Sequence, residues 1–512
     1  MAICGFVGIF GKGESKKRAY RSLLKARHRG GIFRFKTFEK GMLGANPLPL
    51  EGEGGPLKTN EDRTIFAVLD GEIFNREELK KELTKKGHRL GTRSSSSEIL
   101  VHLYEQFGPE MLGKIDSEIF SFIIYDKNND TIFAARDPLG AKPLHYASDR
   151  QGRFYFASEL KQLVGFDDIA EVFEVPAGSY FFKGRIRRYF NLKLSSRIKN
   201  ENLAVRSLRH KLVSAVKKRV ETNLPVGVLL SGGVDSSLIM EIAGHFNPNV
   251  TAIILGTPDS EDAKYAVRFC RERGYKYHLI GPVVNFHRIV KKIIYQAESY
   301  EPGIIYQGIA TEQCAEAAKK LGINICLSGE GADSLFCGFN EYIPFCTEKK
   351  WISRHSSSFV KKMGSGHLRR VDRMAMKYGV EIRLPFLDKE VVNLACNMDT
   401  GLKIRKKDGS VVTKYILRKM AGEFLPQYIC GRRKLVFDQG AGIKIDSDEY
   451  RKIFRKMITK KFHLPARTRE KYSIKNEWEA FCLSNFINFG YDKLAGCEKR
   501  MATLRDIRSE TQ

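Results

Sequence analysis

Two kinds of hydrophobic patterning divide the chain, and the change falls near residue 200. Over the first 190 residues, short runs alternate apolar and polar positions and are separated by Gly, Asn and Asp turns. That is the pattern of strands burying one face. It predicts strands at Thr64–Leu69, Ile119–Tyr125, Thr131–Ala135 and Phe154–Ala157, with helices over Arg76–Lys86 and Ser97–Phe107. A sheet with helices packed on it is expected there. Leu192–Asn202 (LKLSSRIKNEN) is polar and carries no period, which marks it as a linker.

From about Leu203 the pattern is different. A long helix, Ala204–Thr222, leads to the continuously apolar strand Pro225–Leu230, a Gly turn and a second helix, Ser236–Phe246. Apolar strands recur at Val250–Leu255 and Ile323–Leu327. Strands apolar throughout are buried on both faces, and their alternation with helices predicts a doubly wound parallel sheet. Beyond about His355 the chain reads as mostly helical and basic. The expected division is therefore 1–191, a linker at 192–202, and 203–512. No internal repeat is visible.

At 512 residues, with 42% hydrophobic residues, the chain can bury two or three full cores. No apolar run approaches the roughly 20 residues that span a bilayer. The opening MAICGFVGIFGKGESKK lacks the basic start of a signal peptide. The ten cysteines include no C-x-x-C pair, so a thiolate zinc knuckle and a redox motif are not indicated. Reduced thiols and a cytoplasmic location are the expectation. The net charge of +28 is dispersed in short clusters such as Lys16–Arg18, Lys217–Arg219 and Arg405–Lys407. That spread fits solvated helix faces and a field that attracts anionic nucleotides, and argues against a nucleic-acid groove.

The chemistry concentrates in SGGVDSS, Ser231–Ser237. Gly232 and Gly233 let the backbone turn tightly and approach a ligand without Cβ contact. The N–H groups of the turn and of the following helix would point at phosphates, and the helix dipole favours their charge. Ser231, Ser236 and Ser237 can add hydroxyl donors, and Asp235 a hard oxygen for Mg²⁺. This predicts a pyrophosphate-cradling loop and cleavage of ATP to AMP and pyrophosphate. The other phosphate loop, G-x-x-x-x-G-K-[ST], is absent. A second string, LSGEGADSLF (Leu327–Phe336), also follows an apolar strand. Ligands bind at such strand ends, so Glu330 and Asp333 are expected to share a crevice with Asp235. Two carboxylates there suit a magnesium ion that neutralises departing pyrophosphate.

Five motifs in order, VGVLLSGGVDSS, LSGEGADSLFCGF, DRMAMKYGVEIRLPFLD (Asp372–Asp388), KYILRK (Lys414–Lys419) and RRKLVF (Arg432–Phe437), resemble the synthetase half of asparagine synthetases. ICGFVGIF, DGEIFN (Asp70–Asn75), ARDPLGAKPLHY (Ala135–Tyr146) and FASELKQL (Phe156–Leu163) are similar to their class II glutaminase domain. The resemblance implies an N-terminal-nucleophile αββα sandwich followed by an ATP-pyrophosphatase domain. It also implies adenylation of a carboxylate, aspartate in that family, and displacement of AMP by an amine. Carried over by position, Leu229, Leu255, Ser328 and Gly329 would line the adenine and ribose pocket, and Ser231 to Ser236 would hold pyrophosphate. Asp235 and Asp333 would hold magnesium, and Asp262 would lie near the phosphates. Glu330 would serve the amine step as base or orienter, and Lys434 would set a positive charge against the transition state. Glu381 and Arg383 read equally as a structural ion pair, and Lys414 and Arg418, at i and i+4, as one basic helix face.

The first part departs from that family. Its nucleophilic cysteine stands at the mature N-terminus, whereas Cys4 follows Met-Ala-Ile. The arginine that clamps glutamine's carboxylate aligns with Pro47, and the oxyanion-hole asparagine with Asp70, although Gly71 remains. The aspartate that binds the α-ammonium aligns with Ser96, and the RGPD turn reads Arg29-Gly30-Gly31-Ile32. An anion where an oxyanion forms repels it. A degenerate glutaminase scaffold is therefore expected, with ammonia or another amine as nucleophile; a homodimer is left open. The β-lactam and carbapenam synthetases offer one alternative, an amidoligase for another carboxylate and amine, although they carry tyrosine where this chain keeps Glu330. A basic RNA-modifying enzyme is a second.

Overall fold

The computed structural model describes residues 3–12, 16–48, 55–91, 94–192, 195, 197–282, 286–432, 440 and 464–498. The first part is built on two antiparallel six-stranded sheets. One comprises β1 (Cys4–Phe10), β2 (Arg34–Phe38), β3 (Gly41–Pro47), β8 (His145–Ser148), β9 (Phe154–Ala157) and β10 (Phe173–Glu174), in the order β10-β8-β9-β1-β3-β2. The other comprises β4 (Leu57–Thr59), β5 (Ile65–Gly71), β6 (Phe120–Asp126), β7 (Thr131–Arg136), β11 (Ser179–Phe182) and β12 (Arg185–Arg188), in the order β12-β11-β7-β6-β5-β4.

The period of two decides which face each side chain takes. Phe6, Leu43, Phe66, Val68, Ile123 and Phe181 meet in one buried cluster between the sheets. The alternate residues Ala67, Leu69, Phe122 and Ile124 pack outward on Leu79, Leu83, Ile99 and Leu103 of helices Arg76–Lys85 and Ser96–Phe107. Val7 and Ile9, on the far side of β1, pack with Ala19 and Leu23 of helix Lys16–Lys25. The result is the expected αββα sandwich. The strand predicted at Phe154–Ala157 has those bounds, and the others shift by one or two residues at their ends.

The second part carries a parallel five-stranded sheet of β13 (Val226–Leu229), β14 (Thr251–Leu255), β15 (Lys276–Ile280), β16 (Ile325–Leu327) and β17 (Glu381–Arg383), in the order β15-β14-β13-β16-β17. After β13 the chain moves to β14 on one side, and later places β16 on the other. Strand order thus reverses between β13 and β16, the topological switch where α/β folds open a crevice.

Within the stretch read as a linker, the described Ser195 N–H donates to Cys396 O (3.1 Å) and Ile198 N–H to Asn397 O (2.9 Å). Asn200 Oδ1 accepts from Leu203 N–H at 2.9 Å, so the next helix begins at Glu201 and runs to Val220. The region beyond His355 also contributes β17, whose sequence EIR has no apolar run. Its charges are buried because they are paired. Arg383 Nε lies 3.2 Å from Glu381 Oε1, and its Nη1 donates to Arg219 O at 2.7 Å. Among the described residues no helix is long and apolar enough to cross a membrane.

Candidate active site

The loops after β13 and β16 flank a cavity of about 510 Å³ at the switch point. In the first loop Gly232 has φ +68°, and a Cβ there would stand 2.7 Å from Ala266 N. Conformation and space both demand glycine. Gly233 caps helix Val234–Phe246, whose first turn lines the cavity. Ser231 Oγ lies 3.1 Å from Ser236 Oγ and accepts from Gly233 N–H at 3.4 Å, which folds the loop back on the helix start.

Leu229, Ser231, Gly233, Asp235, Ser236, Asp262, Ser328, Gly329, Glu330 and Asp333 all line this one cavity. Gly232 sits behind it as the turn residue. Ser237 and Leu255 are buried, at 0% and 2% exposed, and are not part of its lining. Both sit in the core directly behind the loop. Lys434 lies outside the described residues.

The second loop comes close to the first. A Cβ on Gly329 would stand 2.9 Å from Asp235 Cβ, so the strands' ends can meet only with glycine there. The Lys414 ammonium, 2% exposed, bridges the two loops: it donates to Asp235 Oδ2 and lies 2.7 Å from Asp333 Oδ1. Burial pulls the Lys414 value down, but the two carboxylates outweigh it and raise it above its ordinary 10.5. Lys414 is thus no part of a solvated face, and Arg418 shares its cavity. The carboxylates of Asp235 and Asp333, which come from different loops, already hold one cation between them. A hard divalent ion needs such an oxygen pair.

Two further cations fix the site: Arg370, which no motif marked, and Arg432, the first residue of the RRKLVF motif, to which no role was given. Arg370 donates to Glu330 Oε2 at 2.6 Å and to Thr311 Oγ1 at 2.7 Å, holding the carboxylate at the cavity wall. Burial raises the Glu330 value, yet Arg370 and His367 bring it below the usual 4.5. Arg432 donates to Ser231 O (2.9 Å) and pairs with Asp262 Oδ1 (2.5 Å), tying the phosphate loop to the neighbouring helix. Burial pushes Asp262 up to about 6, with Arg432 opposing.

A second set of sequence-marked residues lies in the first part, around Cys4 and Asp70. Cys4 is fully buried; its N–H donates to Asp70 Oδ1 (3.3 Å) and its thiol to Leu69 O (3.2 Å). Burial, reinforced by Asp70, pushes the thiol well above its ordinary 9.0. Asp70 Oδ2 accepts from Arg29 at 3.0 Å, and Lys142 Nζ lies 3.4 Å from Oδ1. Lys142 also reaches Asp372 and Glu381, each at 3.6 Å. Pro47 is opposite Cys4 in the β1–β3 register. Gly71 has φ +123° and would drive a Cβ to 2.0 Å from Ile119 O. Ser96 Oγ donates to Glu72 Oε1 at 2.5 Å and accepts from Ile73 N–H.

Comparison with known proteins agrees with this layout. Residues 3–195 match the glutamine amidotransferase domain family, and residues 207–348 and 345–481 the asparagine synthase family. The chain is 31% identical over 402 residues to the glutamine-hydrolysing asparagine synthetase 1 of Lotus japonicus, covering 75% of this chain and 67% of that one. It is 32% identical over 404 residues to the glutamine-hydrolysing enzyme of Sandersonia aurantiaca, covering 75% of each. To the glutamine-hydrolysing asparagine synthetase 1 of Arabidopsis thaliana it is 28% identical over 453 residues, covering 83% of this chain and 76% of that one. The matched synthase segments contain both crevice loops, Arg370 and Lys414, and the chain belongs to the asparagine synthetase family of ATP-dependent carbon–nitrogen ligases.

Proposed function

We propose that the protein adenylates aspartate and converts the adenylate to asparagine with ammonia drawn from solvent, using magnesium as cofactor. A side-chain carboxylate oxygen of aspartate attacks the α-phosphorus of ATP, and pyrophosphate leaves. Ammonia then adds to the acyl carbon and loses a proton, and AMP departs with the acyl–oxygen electron pair. One observation carries this reading above the others. Two Gly-rich loops from adjacent parallel strands face one cavity, with phosphate donors on one side and Glu330 on the other.

The roles follow from position. Ser231, Gly232, Gly233 and Ser236, with the N–H groups of helix Val234–Phe246, hold the leaving pyrophosphate. Leu229, Ser328 and Gly329 contribute the nucleoside wall, with Leu255 supporting it from the core. Asp235 and Asp333 would hold magnesium, which would supply charge neutralisation for the departing group. Asp262 with Arg432 keeps the loop in register. Glu330, an ionised acceptor beside Arg370, receives or orients the amine's proton; Lys434, outside the described residues, keeps the role that the resemblance implies, a positive charge against the transition state.

The source of the amine rests on residues 1–191. Ile3 O accepts from Leu48 N–H at 2.9 Å, so the residue before Cys4 is itself held in the structure. A neutral, buried thiol beside a carboxylate is a poor nucleophile. From Cys4 toward the crevice the contacts run through Asp70, Lys142, Asp372 and Glu381, all buried and charged. Beyond them Val371 and Ile382 border a void of about 10 Å³, which barely accepts one water. A scaffold with a sealed interior fits these contacts. Pyrophosphate release on adding aspartate, ATP and magnesium, with asparagine appearing only when ammonium is present, tests the reading. Release with another carboxylate and none with aspartate would replace aspartate as the substrate.

A further inference from the structure

Among the described residues, three metal-ligating side chains that do not line the ATP crevice converge: His88, His102 and Glu105. His88 follows helix Arg76–Lys85, where its N–H donates to Leu83 O at 3.1 Å. His102 and Glu105 are one turn apart on helix Ser96–Phe107. His88 Nδ1 lies 3.2 Å from His102 Nδ1, and each of these nitrogens lies 3.4 Å from Glu105 Oε2. The three atoms form a nearly equilateral triangle. Ligands about 2.0–2.1 Å from a tetrahedral zinc ion stand about 3.3–3.4 Å apart, so the triangle already has the size of one face of that tetrahedron.

The groups behind these atoms point the same way. Asn60 Oδ1 accepts from Thr64 N–H (2.9 Å) and Ile65 N–H (3.0 Å), which fixes its amide. Its Nδ2 therefore donates to Glu105 Oε1, at 3.0 Å, and leaves Oε2 facing the imidazoles. Gln106 Oε1, an acceptor only, lies 3.1 Å from His88 Nε2, so that nitrogen carries the hydrogen and Nδ1 presents its lone pair. Outer partners of this kind orient metal-binding histidines and carboxylates. His102 is buried and Glu105 is 31% exposed, which leaves one side of the triangle open to water.

We propose that His88, His102 and Glu105 bind one zinc ion through Nδ1, Nδ1 and Oε2, with water as the fourth ligand. Two imidazoles and a carboxylate are a borderline donor set that suits zinc and disfavours magnesium or calcium. The ion clamps the turn after helix Arg76–Lys85 onto helix Ser96–Phe107. The first turn of that helix holds Ser96 against Glu72 and Ile73, next to the Asp70–Gly71 corner.

The test uses the full chain, stripped by a chelator and titrated with zinc chloride against a chromophoric competitor, with X-ray absorption on the loaded protein. One zinc per chain is expected, with a nitrogen/oxygen shell near about 2.0 Å and no sulfur shell near about 2.3 Å. The absent sulfur shell separates this site from capture by the ten cysteines. His88→Gln and Glu105→Gln, both outside the core, should each weaken binding by more than about 100-fold, and Gln106→Ala by about 10–100-fold. No zinc uptake, a sulfur shell, or unchanged affinity in both ligand variants overturns the proposal.

Discussion

Replacing Lys414 with methionine removes the cation that joins the two crevice loops and keeps most of the side-chain volume. In the native chain one buried ammonium serves two carboxylates, with Nζ 2.7 Å from Asp333 Oδ1 and in contact with Asp235 Oδ2. The two oxygens that share it lie no more than about 5 Å apart, where unit charges repel by at least roughly 3 kcal/mol at an effective dielectric of about 20. Breaking a fully buried pair costs about 3–5 kcal/mol. Here Asp235 and Asp333 keep 17% and 22% of their side-chain exposure, so hydration offsets part of that and about 2–3 kcal/mol is expected. The Lys414 value is raised on folding, so its contribution is complete below the unfolded 10.5 and lost only as pH rises through the higher folded value. Urea unfolding at about pH 8 therefore reads the whole effect. Magnesium can take the ammonium's place between the carboxylates, so the deficit should shrink when magnesium chloride is present. A variant as stable as the parent without magnesium, or a deficit that magnesium leaves unchanged, refutes the reasoning.

Glu330→Gln should keep pyrophosphate release with aspartate and lower ammonia-dependent amide formation by about 10²–10⁴-fold, the range for a lost proton-transfer group; parallel pyrophosphate and asparagine assays separate the two steps. Arg29→Met leaves Asp70, Glu159 and Asp372 without their shared guanidinium, and should cost about 3–5 kcal/mol in chemical unfolding. Asp262 titrates at about 6 when folded against an ordinary 3.8, so the stability tied to its protonated form is present below about 3.8 and lost as pH rises through about 6. Asp262→Asn should flatten the unfolding free energy across that window.

What could be read from the chain alone was whatever depends on neighbours in sequence. SGGVDSS and SGEGAD announce themselves because strand, glycine turn and helix start are contiguous, and both loops line the cavity. The αββα layers follow from period-two strands such as Phe66–Leu69, whose alternate residues take opposite faces. Lys414 is 179 positions from Asp235, and its spacing to Arg418 resembles any solvated helix. Only the tertiary fold turns it into a buried bridge. Arg370 is hidden for the same reason, and Arg432, although inside a motif, shows its tie to Ser231 and Asp262 only in the fold. β17 escaped because three residues with two charges carry no hydrophobic signal, and its burial depends on Arg383 pairing with Glu381 inside the strand and with the Arg219 carbonyl outside it. Asp70 could be marked as a departure from sequence, but not that Arg29 and Lys142 answer its charge.

The source of the transferred nitrogen is the most direct measure of how the two parts work together. The full chain is incubated with aspartate, ATP and magnesium, and with either nitrogen-15 ammonium or amide-labelled glutamine, while pyrophosphate and asparagine are followed together. Equimolar pyrophosphate and asparagine, labelled from ammonium alone and unchanged in Cys4→Ala, is the expected result. Label passing from the glutamine amide into asparagine, and lost in Cys4→Ala, would contradict the sealed scaffold and restore Cys4 as a working nucleophile.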